Sequence, residues 1–166
     1  ALFSQTGNEI ERLSKKFNRF PDIIISNAKN KESVNVNIAP RTVFIDHNEI
    51  NYFLSNLEKD TICTLHGYLR IIPMKNIYCK IYNSHPGDII KFPVLIGKDP
   101  QRKAISLKLD YTGVIIHEVT DQVDQGTVHK HKSLKINLDE TIETLSSKLK
   151  DISVDLWVDF LSEKLF

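Results

Sequence analysis

The sequence predicts an α/β protein: a mostly parallel, twisted sheet with helices on both faces and a long helix near the C-terminal end. Three observations predict it. Short runs rich in β-branched residues, such as Ile23-Ile24-Ile25, alternate with segments whose apolar residues recur every three or four positions. A strand, a turn, a helix and a second strand follow one another at the start, the pattern of a βαβ unit, which requires parallel pairing. Finally, Ile142, Leu145, Leu149, Ile152, Leu156 and Phe160 form one apolar stripe of helical period.

Taken in order, residues 1–4 read as the tail of a buried strand. Ile10, Leu13 and Phe17 then mark a helix, and Thr6 with Glu9 has the spacing of a capping box. Pro21 ends that helix before the strand at 23–25. Residues 27–37, rich in Asn, Lys and Ser, read as a loop. A short strand is expected over 42–45 and a helix over 48–57, with Ile50, Phe53, Leu54 and Leu57 on one face. Strands follow at 61–65 and 79–83, the second preceded by a short helical turn after Pro73. A loop begins at His85, Pro86, Gly87 and Asp88, and a helix is expected over 100–109. Two more strands, 113–119 and 127–136, flank the polar segment 120–126. Asp139 is expected to cap the last helix, with Glu140 and Glu143 at the positive end of its dipole.

Composition bounds what such a fold can do. The chain has 166 residues, 41% hydrophobic and 26% charged, which fits a single domain over 1–166 and excludes a disordered chain. Lys plus Arg number 22 against 21 Asp plus Glu, a net charge of +1, so there is no electrostatic case for nucleic acid or an anionic membrane. No apolar run is long enough to span a bilayer. No charged segment followed by an apolar one opens the chain, so no signal peptide is expected. Cys63 and Cys79 lack metal-ligand spacing and read as buried reduced thiols, from which a cytoplasmic setting is expected.

Ligands of open parallel sheets bind at the carboxyl ends of the strands. Asn83 and His85 fall there, two residues apart, so an extended backbone points both the same way. An amide donor beside an imidazole suits a reaction in which an oxygen gains negative charge: Asn can donate to it, and His can donate or move a proton. The bland alternative is a loop histidine bonded to backbone. Asp121 and Asp124 lie in the 120–126 segment, where a carboxylate could orient an imidazole and raise its pKa, although a simple turn explains the composition equally. The segment Gln5, Thr6, Gly7, Asn8, Glu9 follows a strand and opens a helix, so its backbone N–H groups could cradle a phosphate. It matches no dinucleotide or Walker pattern. His129 and His131 share a strand face without a third ligand nearby and read as a solvated edge, so no metal is expected. His47 and His66 read as ordinary loop or strand-end residues, and His117 as a partly buried, satisfied histidine.

Four motifs in a fixed order then resemble a known family. Leu65-His-Gly-Tyr-Leu-Arg-Ile-Ile-Pro73, Asn83-Ser-His-Pro86, Thr112-Gly-Val-Ile-Ile-His-Glu-Val119 and Val123-Asp-Gln-Gly126 are similar to those of the 10-formyltetrahydrofolate-dependent formyltransferases, and 2–10 resembles that family's phosphate loop. The resemblance covers most of the chain and is strongest over 65–136. It implies the Rossmann-like formyltransferase fold and formyl transfer from 10-formyltetrahydrofolate, as co-substrate, to the amine of glycinamide ribonucleotide in purine biosynthesis. An amino sugar nucleotide is the alternative acceptor. A catalytically inactive folate- or nucleotide-binding module is the alternative of another class.

The resemblance also implies residue roles. Asn83, His85 and Asp124 form the catalytic set: Asn83 and His85 steady the tetrahedral oxyanion, while Asp124 keeps His85 protonated and helps relay the amine proton. Leu69, Arg70, Ile71, Ile72, Ile81, Val119, Thr120 and Asp121 border the pterin. Thr6, Gly7, Asn8, Glu9 and Pro86 meet a phosphorylated small-molecule amine, and His117 supports the Asp124 loop. The expected partners are small molecules, with a monomer or homodimer. The chain departs from the family's pattern at several points. Glu9 stands where that family usually carries Asn. Gly87, Asp88, Ile89 and Ile90 replace a Ser followed by Leu-Leu-Pro. Lys150 and Ser153 replace polar residues of the last helix, Lys150 being placed to meet a phosphate instead. Residues 27–37 look shortened.

Overall fold

The computed structural model describes residues 1–165. Seven strands are β1 (Leu2–Phe3), β2 (Ile24–Ser26), β3 (Thr42–Phe44), β4 (Ile62–Leu65), β5 (Lys80–His85), β6 (Tyr111–Glu118) and β7 (Val128–Lys135). Four helices are α1 (Asn8–Phe17), α2 (His47–Ser55), α3 (Pro100–Ser106) and α4 (Ile142–Leu165). The strand order is β3-β2-β1-β4-β5-β6-β7. Pairing from β3 through β5 is parallel, and β6 with β7 is antiparallel. The predicted α/β class, mostly parallel, is therefore the observed one.

The chain forms two compact units. The first comprises 1–83 and 119–121. Its strands alternate their side chains between two faces, and a helix covers each. On one face Leu2, Ile25, Cys63, Leu65 and Ile81 pack with Ile50 and Leu54 of α2. On the other, Phe3 and Ile24 pack with Ile10 of α1 and with Val34 and Ile38. The last two lie in and just beyond the stretch expected to be a plain polar loop. Both are almost fully buried, and a 3-10 turn, Lys31–Ser33, precedes them.

The second unit comprises 84–118 and 122–166, described here to residue 165. α4 packs on β6 and β7, and α3 packs on α4 and β6. The predicted stripe of α4 is buried at Leu145, Leu149, Ile152, Leu156 and Phe160, joined by Val154 and Trp157. Trp157 is fully buried, with Phe160 edge-on to it at 5.8 Å between ring centroids. Trp157→Ala is expected to destabilise the protein by about 3–5 kcal/mol, read as a lower denaturant midpoint, because the indole leaves a large cavity.

Several expected boundaries shift for identifiable reasons. The Thr6–Glu9 capping box does not form: α1 starts from Gly7 in the left-handed region (φ 69°), with no side-chain cap. A true capping box occurs instead at Asp46 and Glu49, at the start of α2. Asp139 does not cap α4; Thr141 does, its hydroxyl accepting from the Thr144 N–H at 3.2 Å. α3 stops at Ser106 rather than 109, with Lys108 turning left-handed (φ 51°) just beyond. β5 runs two residues further than expected, so His85 is its last residue rather than the start of a loop.

Candidate active site

The core of the candidate site lies in the second unit. β5 delivers His85 at its carboxyl end, nearly buried. Its Nδ1 lies 3.2 Å from Asp124 Oδ2, and its Nε2 donates to the Leu95 carbonyl at 2.9 Å. Asp124 sits in the turn between β6 and β7, in the left-handed region (φ 54°) that Asp tolerates better than most residues. The other Asp124 oxygen, Oδ1, lies 3.4 Å from His117 Nε2. Asp124 Oδ2 also accepts from the Gly97 N–H at 3.0 Å. His117 donates through Nδ1 to the Glu118 carbonyl at 2.9 Å.

The local fold explains why these groups meet. β6 and β7 slip register between Ile116 and His117, where Ile116 pairs with Lys130 but His117 with Val128. Such a bulge re-aims a side chain near a strand end. Gly87 makes room for the His85 ring: a Cβ there would lie 2.8 Å from His85 Nε2 and 3.1 Å from Leu95 Cβ. Any side chain at 87 would therefore have to displace the ring or the Leu95 segment.

Both neighbours of the His85 ring only accept hydrogen bonds. A neutral imidazole satisfies one of them and a protonated one satisfies both. Burial nevertheless dominates and pulls the His85 pKa below the ordinary imidazole value, against the raising pull of the Asp124 carboxylate and the Leu95 carbonyl. The carboxylate thus acts in the expected direction without setting the outcome: the ring is not held protonated. For Asp124, burial pushes upward, but His117, His85 and the Gly97 N–H outweigh it and hold the carboxyl below the usual carboxylate range. The result is an ionised carboxylate beside an imidazole with an acceptor waiting for its second proton.

The remaining expected residues belong to the first unit, apart from Pro86. Asn83 is half-buried, two positions before His85 on β5. The segments 69–74 and 119–121 are tied together: Asp121 Oδ1 accepts from the Met74 N–H at 3.0 Å, and Val119 donates to the Ile81 carbonyl at 2.8 Å. Beside these ties Leu69, Arg70, Ile71 and Thr120 are exposed, whereas Ile72 and Ile81 belong to the core. Of the three isoleucines expected to line a slot, only Ile71 is exposed, as is Leu69.

In the β1–α1 loop, Glu9 turns onto His66, Oε2 lying 2.7 Å from Nδ1, and His66 Nε2 is 2.9 Å from the Thr64 hydroxyl. Asn8 Oδ1 accepts from Asn35 Nδ2 at 2.9 Å, and the Thr6 hydroxyl accepts from the Asn8 N–H at 3.4 Å. Gly7 is required twice over, by its positive φ and because a Cβ would lie 2.2 Å from Ile38 Cδ1. Pro86 follows His85 and is half-buried. Of the last-helix departures, Lys150 is exposed but Ser153 is buried.

Sequence reasoning missed the backbone partners, the Leu95 carbonyl and the Gly97 N–H, which carry no side-chain signature. It also read His66 as an ordinary strand-end residue, although it is a buried partner of Glu9. Cys63 and Cys79 are free and buried, and burial pushes the Cys63 thiol up to about 11. His131 is more than a solvated edge residue, since its Nε2 lies 3.1 Å from Asp88 Oδ2. Among the described residues, no group of three or more His, Cys, Asp and Glu is arranged to hold a metal, and no helix is long and apolar enough to cross a membrane.

Comparisons with known proteins identify relatives of the whole fold. The chain is 28% identical over 171 aligned residues to the chicken trifunctional purine biosynthetic protein adenosine-3, covering 90% of this chain and 17% of that protein. It is 30% identical over 116 residues to a methionyl-tRNA formyltransferase of Prochlorococcus marinus, covering 68% of this chain and 35% of that one. The chain thus spans well under half the length of either relative. The crystal structure of a phosphoribosylglycinamide formyltransferase from Streptococcus pneumoniae shares the fold, with a TM-score of 0.80 at 18% identity over 99% of this chain and 97% of that one. A family model described as formyl transferase matches residues 10–161, nearly the whole of the 166, and the chain accordingly belongs to the formyl transferase family.

Proposed function

We propose that this chain, as one formyltransferase-like domain, transfers a formyl group from 10-formyltetrahydrofolate to the amine of glycinamide ribonucleotide, a cytoplasmic step of purine biosynthesis. The observation that supports it most is the His85–Asp124 pair, backed by His117, at the carboxyl end of β5 in a chain of this family. The purine biosynthetic proteins among its relatives favour glycinamide ribonucleotide as acceptor.

In this reading the acceptor amine attacks the formyl carbon directly. The new C–N bond forms as the carbonyl π pair moves onto oxygen. The Asn83 amide donates to that oxygen, lowering the cost of its negative charge. The ammonium proton passes to the Asp124–His85 pair, whose imidazole is neutral at rest and finds the Leu95 carbonyl and the carboxylate ready for its two N–H groups. Collapse breaks the bond to N10, whose electron pair leaves on tetrahydrofolate and takes up the proton. Neither a metal nor a covalent enzyme intermediate enters. The folate's flat ring is bordered by Leu69, Ile71 and the backbone of 119–121, where exposed apolar side chains sit beside backbone donors and acceptors.

The test is a formyl-transfer assay with 10-formyltetrahydrofolate and a panel of amines: glycinamide ribonucleotide, an amino sugar nucleotide and methionyl-tRNA. Formylated glycinamide ribonucleotide as the dominant product is the expected result. Preference for another amine moves the acceptor assignment. Binding of a non-reactive folate analogue with no amine accepted at all overturns the enzymatic reading in favour of a folate-binding module.

A further inference from the structure

Asp88 is a carboxylate with no solvent exposure, outside the proposed catalytic set. Buried carboxylates persist only when hydrogen-bonded, and this one is held on every side. Ser133 Oγ donates to its Oδ2 at 2.7 Å, and the Lys91 N–H to its Oδ1 at 3.1 Å. His131 Nε2 also lies 3.1 Å from Oδ2. Burial alone would raise its pKa, but these donors outweigh it and keep the carboxyl below its ordinary value. Ser133 and His131 both belong to β7, so the carboxylate fastens the chain that follows β5 to a strand edge.

That fastened stretch is the one that shapes the surroundings of His85. The Asp88 carbonyl accepts from the Phe92 N–H at 2.8 Å, and the Phe92 carbonyl accepts from the Leu95 N–H at 2.9 Å. Leu95, fully buried, presents its own carbonyl to His85 Nε2. At the other end Gly87, adjacent to Asp88, lies against the same ring. A shift at Asp88 is therefore passed to both surfaces that fix the imidazole. We propose that Asp88, clamped by Ser133 and His131, is a positioning residue that sets the orientation of the His85 ring by fixing the Gly87 backbone and the Leu95 carbonyl.

The inference rests on the proposed role of His85 for its kinetic readout only. The groups facing the His85 ring are Asp124, His117 and Lys103, with the Leu95 carbonyl; His131 faces Asp88. Two variants of the full chain test it, Asp88→Asn and Ser133→Ala. Asparagine keeps the size, but its single side-chain oxygen can accept from Lys91 or from Ser133 and not from both, and it loses the charge that faces His131. The measurements are the ring nitrogen resonances of His85 across a pH titration, assigned by their loss in His85→Gln, and steady-state kinetics.

In Asp88→Asn the His85 resonances are expected to shift and its protonation midpoint to fall, because the raising pull of the Leu95 carbonyl weakens. The formyl-transfer kcat is expected to fall at least tenfold while KM for either substrate stays within about twofold, the pattern of an interaction used in the transition state. Ser133→Ala, which removes one donor, is expected to move each quantity part of the way, and it carries the test if Asp88→Asn does not fold. Unchanged His85 resonances and midpoint in a folded variant overturn the inference, as does a loss carried wholly by KM. A wild-type chain that transfers no formyl group refutes the function instead, and the ring titration still decides the role of Asp88.

Discussion

His85→Ala is expected to lower the rate of formyl transfer by about a thousandfold while the protein stays folded, the size of effect seen when a positioned proton-transfer group is lost. The fold survives because Asp124 keeps two partners without the ring, the Gly97 N–H at 3.0 Å and His117 at 3.4 Å. The chemistry does not survive, because the ring whose two nitrogens meet the Asp124 carboxylate and the Leu95 carbonyl is gone. The wild-type pH profile should carry the same signature. His85 must be neutral to take a proton, so activity falls as pH drops through its pKa, which burial places below the ordinary value of about 6.5. The acid limb of kcat/KM should therefore lie below that pH, and it should vanish from whatever residual rate His85→Ala retains. The loss should appear in kcat more than in KM. A variant within about tenfold of wild type, with circular dichroism unchanged, would remove His85 from the reaction.

How much of this was legible beforehand depends on what kind of signal each part leaves. The parallel sheet was readable because its strands are short, apolar and bounded by turn residues, and because the α1 and α4 stripes have a clear helical period. The capping at Thr6 was misread for an instructive reason. Spacing alone cannot report that Gly7 occupies a left-handed position or that Glu9 has a buried histidine to meet. The convergence of His85, His117 and Asp124 was legible only through family resemblance, since 32 residues separate His85 from His117 and a register slip aims the latter. The contribution of burial was not legible. A sequence shows that a carboxylate could stand near an imidazole, and that pairing predicts a raised pKa. It does not show that the imidazole is nearly excluded from water, which reverses the sign. Gly87 and Asp88 looked like mere departures until the ring was seen resting on the one and the β7 clamp closing on the other.

Asp124→Asn separates charge from shape. Asparagine is among the few residues that accept the left-handed backbone found at 124, φ 54°, so the turn is preserved where alanine would strain it. The side-chain oxygen can still accept from the Gly97 N–H. What disappears is the negative charge shared by two histidines, together with an acceptor for one of them. Formyl transfer is expected to fall by about 10²–10⁴-fold, because the proton taken from the amine no longer enters a pair whose charges balance. The pH dependence gives the sharper result. The Asp124 carboxylate raises the His85 pKa while burial lowers it, so removing the carboxylate leaves burial unopposed and the His85 pKa falls further. The acid limb should move to lower pH even as the plateau drops, an outcome that simple unfolding cannot produce. The stability of the two proteins should diverge in the same sense. The depressed carboxyl of Asp124 contributes stability above its unfolded value of about 3.9, and that contribution is lost as pH falls through the folded one. Wild type should therefore lose its advantage over Asp124→Asn in acid, measured as converging melting temperatures. An acid limb that stays in place in Asp124→Asn would mean that the carboxylate does not act on His85, and the pairing would then be structural only.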